Sequence, residues 1–111
     1  MEDCIFCKLA NGDIPKVFEN DDFAIIKDIN PQAKLHYLAI PKKHFDNVVE
    51  LAKEDNALLG RIFAKLAELK DTLGLQDGFR IIINTGENGA QSVKHIHIHL
   101  LGGEKLPENI R

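Results

Sequence analysis

His95, Ile96, His97, Ile98 and His99 run consecutively near the end of this 111-residue chain, so three imidazoles recur at a spacing of two. Imidazole changes charge near neutral pH, and in its unprotonated form it can attack an electrophile, carry a proton or bind a metal. The alternation of histidine with Ile96, Ile98 and Leu100 predicts a β-strand. Successive side chains of a strand point to opposite faces. The three imidazoles then share one face, left open for chemistry, while the apolar residues turn towards a core. The chain has five histidines, so this segment holds most of its neutral-pH chemistry. A solvated strand face or a simple metal-binding tract would show the same spacing.

The residues before the triad favour a reaction centre. Residues 84–94 read Asn-Thr-Gly-Glu-Asn-Gly-Ala-Gln-Ser-Val-Lys. Gly86 and Gly89 let the backbone turn and let a ligand approach its N–H groups. Successive N–H groups in such loops form anion-binding concavities. Gln91 and Ser92 add an amide and a hydroxyl just ahead of the imidazoles. The combination is a phosphate-sized cradle beside a row of imidazoles, although a Gly-Asn loop alone is more often a plain hairpin connection from the strand expected over residues 79–83.

The run from Gly89 through His99 to Gly103 resembles the signature of the histidine triad (HIT) superfamily. Asp28-Ile29-Asn30-Pro31 and His36-Tyr37-Leu38-Ala39-Ile40-Pro41-Lys42-Lys43-His44 resemble two blocks of its nucleotide-binding Hint branch, and Cys4-Ile5-Phe6-Cys7-Lys8 fits its small bacterial members. The resemblance implies a hydrolase that cleaves the P–N bond of adenosine or guanosine 5′-phosphoramidates through a covalent nucleotidyl-histidine. His97 would be the nucleophile, flanked by His95 and by His99, which would contact the phosphate and the leaving group. Ser92 and Gln91 would hold the non-bridging oxygens, with Ala90 and Asn84 beside them. Asp28 would accept from the ribose hydroxyls. Phe6, Leu9, Ile26 and Ile29 would line the base pocket, and His36 would lie near the phosphate. The chemistry is sound on its own terms, because a covalent intermediate splits one difficult displacement into two easier ones. The apolar residues of this set are also ordinary core formers, and Asp28 ahead of Pro31 is also a turn former.

The same resemblance implies a homodimer and a structural zinc bound by Cys4, Cys7, His44 and His95, with no organic cofactor. A Cys-x-x-Cys pair offers two thiolates to one metal and two histidines complete a tetrahedral set, a closed site that costs stability before chemistry when emptied. Buried apolar thiols or a redox pair are the other readings of the cysteines. Two alternatives remain within reach of the site: a dinucleoside polyphosphate hydrolase of the same superfamily, and a purine-nucleotide-binding regulatory protein with little turnover. A plain metal-binding domain is a third. Lys94 stands where many relatives carry an aromatic residue, Ala90 replaces a glycine common in the loop, and the tail over residues 104–111 lacks the Trp-Pro-Pro ending of many Hint proteins.

The elements that must position these residues form an α+β pattern. A short helical entry spans residues 4–10 and stops at Asn11-Gly12. Strands are expected over residues 17–19 and 23–28, joined by Asn20-Asp21-Asp22, and over residues 36–40. Leu58, Leu59, Ile62, Phe63, Leu66, Leu69 and Leu73 recur at helical spacing, predicting a helix over residues 54–73 stopped by Gly74. Strands over residues 79–83 and the triad complete an antiparallel sheet of about five strands. The long helix is more apolar than one sheet face needs, and an apolar edge strand over residues 79–83 invites pairing, which a twofold dimer would satisfy.

Composition agrees with one HIT domain over residues 1–111. Apolar residues make up 44% and charged residues 28% of the chain, as in an ordinary globular protein. A net charge of −3 without basic runs argues against a nucleic-acid partner. No apolar stretch approaches the roughly 20 residues of a membrane span. Met1-Glu2-Asp3 lacks the character of a signal peptide, so a cytoplasmic protein with reduced cysteines is expected.

Overall fold

Hairpin connections and one long apolar stripe set the architecture of the computed structural model, which describes residues 4–108. Met1, Glu2 and Asp3 of the acidic terminus and Asn109, Ile110 and Arg111 of the tail lie outside the described residues. Strands β1 (Phe18–Glu19) and β2 (Phe23–Lys27) are turned by Asn20, whose Oδ1 accepts from the N–H groups of Asp22 at 2.9 Å and Phe23 at 3.0 Å. Such Asn turns mimic a backbone turn. β3 (Leu35–Pro41) pairs with β2, β5 (Ile98–Gly102) pairs with β3, and β4 (Phe79–Ile82) closes the far edge. All pairs are antiparallel, in the order β1-β2-β3-β5-β4.

A helix lies against each face. On one, α2 (Val48–Leu69) sets Leu51, Leu58, Ile62 and Leu66 against Phe23, Ile25, Ala39, Ile98 and Leu100. On the other, α1 (Ile5–Asn11) sets Ala10, Phe6 and Leu9 against Ala24, Ile26, Leu38 and Ile40. β2 is therefore buried on both sides and reads as an unbroken apolar run. Each fully buried Leu or Ile contributes about 1.5–3 kcal/mol by leaving water. The Tyr37 hydroxyl donates to Leu73 O at 2.8 Å, joining the sheet to the end of α2.

The long helix departs from expectation at its start. It begins at Val48, capped by Asn47, whose side chain accepts from Glu50 N at 3.0 Å. Asp55 then leaves the helical region and caps a second segment, accepting from Leu58 N at 3.1 Å. The expected start at Glu54 is thus the kink between two helical segments, each opened by the short polar side chain that N-caps favour. Regular helix ends at Leu69, and the chain closes at Gly74, where φ is +77°. Leu75 N donates to Lys70 O at 2.8 Å and Gly74 N to Asp71 O at 3.1 Å, the paired bonds of a Schellman ending.

The triad strand is shorter than the spacing predicts. β5 starts at Ile98, so His99 alone of the three histidines lies within it. The ladder stops because Pro41 on the neighbouring strand has no N–H to give, and its carbonyl accepts from the His95 ring instead. The alternation survives without the ladder. Ile96, Ile98 and Leu100 enter the α2-side core. Among the described residues, no helix is long and apolar enough to cross a membrane.

Candidate active site

His97 stands at the centre of the α1-side face. Its Nδ1–H donates to the carbonyl of His95 at 2.8 Å. That bond fixes the tautomer and leaves the Nε2 lone pair free. The Phe6 ring lies 4.5 Å away between centroids, tilted at 48°, and His99 meets His97 edge-on at 5.1 Å. With 7% of its surface exposed, His97 is buried. The expectation of a triad on an open face is corrected here: α1 closes over the start of the row.

His99 is held by a relay. The backbone N–H of Gln32 donates to His36 Nδ1 at 3.0 Å, so the proton of His36 sits on Nε2. That Nε2–H reaches His99 Nδ1 at 2.9 Å. His99 accepts there, and its own proton lies on Nε2. Burial, then the nearby His97 and His36, push the His99 imidazolium down to about 4, so the ring is neutral at physiological pH. Asp28 Oδ2 lies 3.4 Å from His36 Nε2, and Oδ1 accepts from Asn30 N at 2.8 Å. The turn-forming role of Asp28 and its place beside the histidines therefore coexist.

The Gly-rich loop differs from the expected cradle. Gln91 braces the loop: its Oε1 accepts from Gly86 N at 2.9 Å, and its Nε2 donates to the carbonyls of Val93 at 2.9 Å and Asp46. Asn84 Nδ2 donates to Gly89 O at 2.7 Å. The N–H groups of Ala90 and Gln91 bond to Glu87 O and Gly86 O, both at 3.0 Å. Three N–H groups expected to face an anion are thus spent within the loop. Ser92 is exposed at its end. Ala90 has a φ of +59°, the left-handed region that a glycine occupies without strain. Of the expected base-pocket residues, Ile26 is core, Phe6 and Leu9 are partly buried on α1, and Ile29 is 91% exposed beside Asp28.

The second constellation, which the resemblance implies, comes together. Cys4, Cys7, His44 and His95 place their ligand atoms within 4.8 Å of one another. Cys4 Sγ is 3.2 Å from His95 Nδ1, and Cys7 Sγ is 3.2 Å from His44 Nδ1 and 3.3 Å from His95 Nδ1. A sulfur and a nitrogen sharing one tetrahedral zinc are separated by roughly 3.5 Å, from bond lengths of about 2.3 and 2.0 Å. The distant nitrogens are committed elsewhere. His95 Nε2–H donates to Pro41 O and His44 Nε2–H to Asp46 Oδ1, both at 2.9 Å. Both rings thereby turn an Nδ1 lone pair inward, the outer-shell pattern of metal-bound histidine. Burial, then the neighbouring Cys4 sulfur, push the Cys7 thiol up to about 11, since two adjacent thiols cannot both lose protons without a cation to share. The residues fit a metal ion.

Sequence reasoning missed Gln32, whose backbone sets the His36 tautomer, and Asp46, which ties His44 to the loop. The spacing of His44 and Asp46 was a weak local signal for the second. For Gln32 only the turn-forming Asn30-Pro31 hinted at a fixed backbone.

The chain belongs to the histidine triad superfamily. The family described as "Scavenger mRNA decapping enzyme C-term binding" matches residues 3–108. Protein HitA of Neisseria gonorrhoeae is 48% identical over 104 residues, spanning 92% of this chain and 97% of that protein. A histidine triad protein from Clostridium difficile superposes with a TM-score of 0.91 at 42% identity, covering 98% of this chain and 97% of the other. A HIT family hydrolase from Legionella pneumophila gives 0.86 at 40% identity, covering 96% and 97%. A zinc-bound histidine triad protein from Mycobacterium smegmatis gives 0.74 at 32% identity, covering 96% and 81%.

The His99 environment predicts an acid-sensitive fold. Its folded pKa is about 4 against an ordinary 6.5, so the unfolded chain binds the extra proton between those values. Stability is present above 6.5 and is lost as pH falls towards 4. His99→Asn should shed part of that slope. Urea midpoints at acid and neutral pH for both chains check this, and identical slopes would refute it.

Proposed function

We propose that this protein is a nucleoside phosphoramidate hydrolase of the Hint type, releasing a purine nucleoside monophosphate from a nitrogen leaving group. The observation that carries the reading is the tautomer of His97. With Nδ1–H bonded to the His95 carbonyl, the only lone pair it offers is Nε2, beside a neutral His99 whose Nε2 carries a proton. The Nε2 pair attacks phosphorus and a P–N bond to His97 forms. The substrate P–N bond breaks with its electron pair passing to nitrogen, which departs as the amine with a proton from solvent. His99 Nε2–H and the Ser92 hydroxyl steady the phosphate oxygens as charge gathers on them. Water then displaces His97 and frees the monophosphate. Asp28 serves the ribose hydroxyls through its second oxygen, and exposed Ile29 with Phe6 and Leu9 receives the base. The similarity to a HIT family hydrolase supports hydrolysis over mere binding.

His97→Asn should lower turnover of an adenosine phosphoramidate by about 10³-fold or more, as loss of a nucleophile does. The substitution keeps a polar group for the buried site, because His97→Ala would leave a cavity. Labelled substrate should trap an adduct on His97. An adduct on His99 would move the role, and faster turnover of a dinucleoside polyphosphate would favour the second hydrolase. AMP binding without turnover of either would favour the regulatory reading.

Cys4, Cys7, His44 and His95 hold one structural zinc in this reading. When bound it neutralises two thiolates and fastens α1 to the sheet, and with four protein ligands it has no open position for the reaction. The zinc-bound relative supports the choice of metal. Elemental analysis of untagged protein should find about one zinc per chain. Metal content near zero, with both thiols titratable in the folded chain, would defeat it.

The protein is also read as a cytoplasmic homodimer joined along β4 and α2. Ile81 is 41% exposed on the edge strand, and Leu59 and Phe63 remain partly open on α2. Light scattering at micromolar concentration should return twice the 12.4 kDa chain mass, and a monomer at every concentration would refute the interface.

A further inference from the structure

α1 is a helix of seven residues, too short to persist alone in water. It is held from both ends. Cys4 and Cys7 meet His44 and His95 at 3.2–3.3 Å, and Asn11 Nδ2 donates to Lys42 O at 3.0 Å. Phe6 lies between the two cysteines in the chain. Its ring packs on His97 at 4.5 Å and meets His95 edge-on at 6.3 Å. His95 itself faces two ways, with its ring among the ligands and its carbonyl on the His97 Nδ1–H. Both groups that fix the His97 ring therefore adjoin metal ligands in the chain. A third path runs from His44 through Asp46 to Gln91, and so to the loop that presents Ser92.

We infer that the ligand cluster sets the pose of the nucleophile, with Phe6 as the positioning residue that braces the His97 ring while Cys4 and Cys7 are tied to His44 and His95. This rests on the reading of His97 as nucleophile and of the cluster as a metal site, and it goes beyond a structural role. Metal occupancy would control reactivity in a folded protein. Release of the sulfurs loosens the first turn of α1, the Phe6 ring leaves the face of His97, and the imidazole gains rotational freedom about its Cβ–Cγ bond. The sequence-based expectation that metal loss costs stability before chemistry is replaced by loss of both together.

The test uses the full chain and reads His97 directly. Diethyl pyrocarbonate acylates accessible unprotonated imidazoles, and mass spectrometry locates the adducts. Chelation of the wild-type protein should raise acylation at His97 several-fold while circular dichroism still reports a folded chain. Phe6→Ala should do the same with its metal content unchanged. Phe6→Leu, which keeps an apolar brace, should retain most of the protection. With an adenosine phosphoramidate, Phe6→Ala should lower kcat by about tenfold to a hundredfold, more than it raises KM, as a misplaced nucleophile does. Equal His97 acylation in wild type and metal-replete Phe6→Ala would overturn the inference, whatever chelation does to the fold. Increased acylation in a chain that never turns over phosphoramidate would support the coupling and defeat only the proposed reaction.

Discussion

His95 is the residue on which the rest depends. It is fully buried, and every polar group it can direct sideways has a partner. Nδ1 faces two sulfurs, Nε2–H donates to Pro41 O, and the carbonyl accepts from His97. A buried imidazole with an unmatched nitrogen would cost free energy of the order of 1–3 kcal/mol, so each partner constrains the others. The adjoining Ile96 N–H donates to Phe45 O at 2.8 Å, which anchors the segment leading into α2. The His95 side chain, its carbonyl and the adjoining Ile96 N–H thus join the N-terminal helix, the end of β3, the approach to the long helix and the centre of the site.

The histidines around it are kept neutral or fixed in tautomer by different means. Burial acts most strongly on His95 and His99 and lowers both below the ordinary imidazole range. For His36 and His97 a single backbone group decides which nitrogen carries the proton: an N–H from Gln32 in one case, a carbonyl from His95 in the other. This matters because imidazoles that adjoin in pairs, about 5 Å apart between centroids, would otherwise compete for protons and repel one another. A row with fixed tautomers can both accept and donate. Its directionality, from Gln32 through His36 to His99, ends in an N–H that can face an incoming phosphate.

Much of this was legible in the residues. Period-two alternation assigned the faces of His95, His97 and His99 correctly even where the ladder is absent, because the core takes Ile96 and Ile98 regardless of strand pairing. Gly74 marked the end of α2 through a conformation that favours glycine. Cys4, Cys7, His44 and His95 converge into a cluster that could hold a metal. What escaped was set by distant partners. Gln91 resembles a free amide in the chain, yet its Nε2 is taken by a carbonyl 45 positions away. Asp55 looks like one more polar residue on a helix, and only its backbone shows that it starts a new segment. The burial of His97 could not be read from its own segment, because α1 covers it from the other end of the chain.

The loop ahead of the triad shows how such distant commitments bear on chemistry. Ala90 holds a left-handed backbone that costs an L-residue about 1–2 kcal/mol. A strained residue of this kind persists only where its surroundings over-determine it. Here they do: Gln91 bonds three ways, Asn84 closes on Gly89, and the N–H groups of Ala90 and Gln91 bond back to the loop. The loop is therefore built before a ligand arrives, and much of its hydrogen-bonding capacity is consumed in building it. In the proposed reaction, the side-chain donors offered to a phosphate are the Ser92 hydroxyl and the imidazole N–H of His99. On that reading, developing charge meets donors already fixed in position, the arrangement in which a donor costs no reorganisation at the moment of reaction.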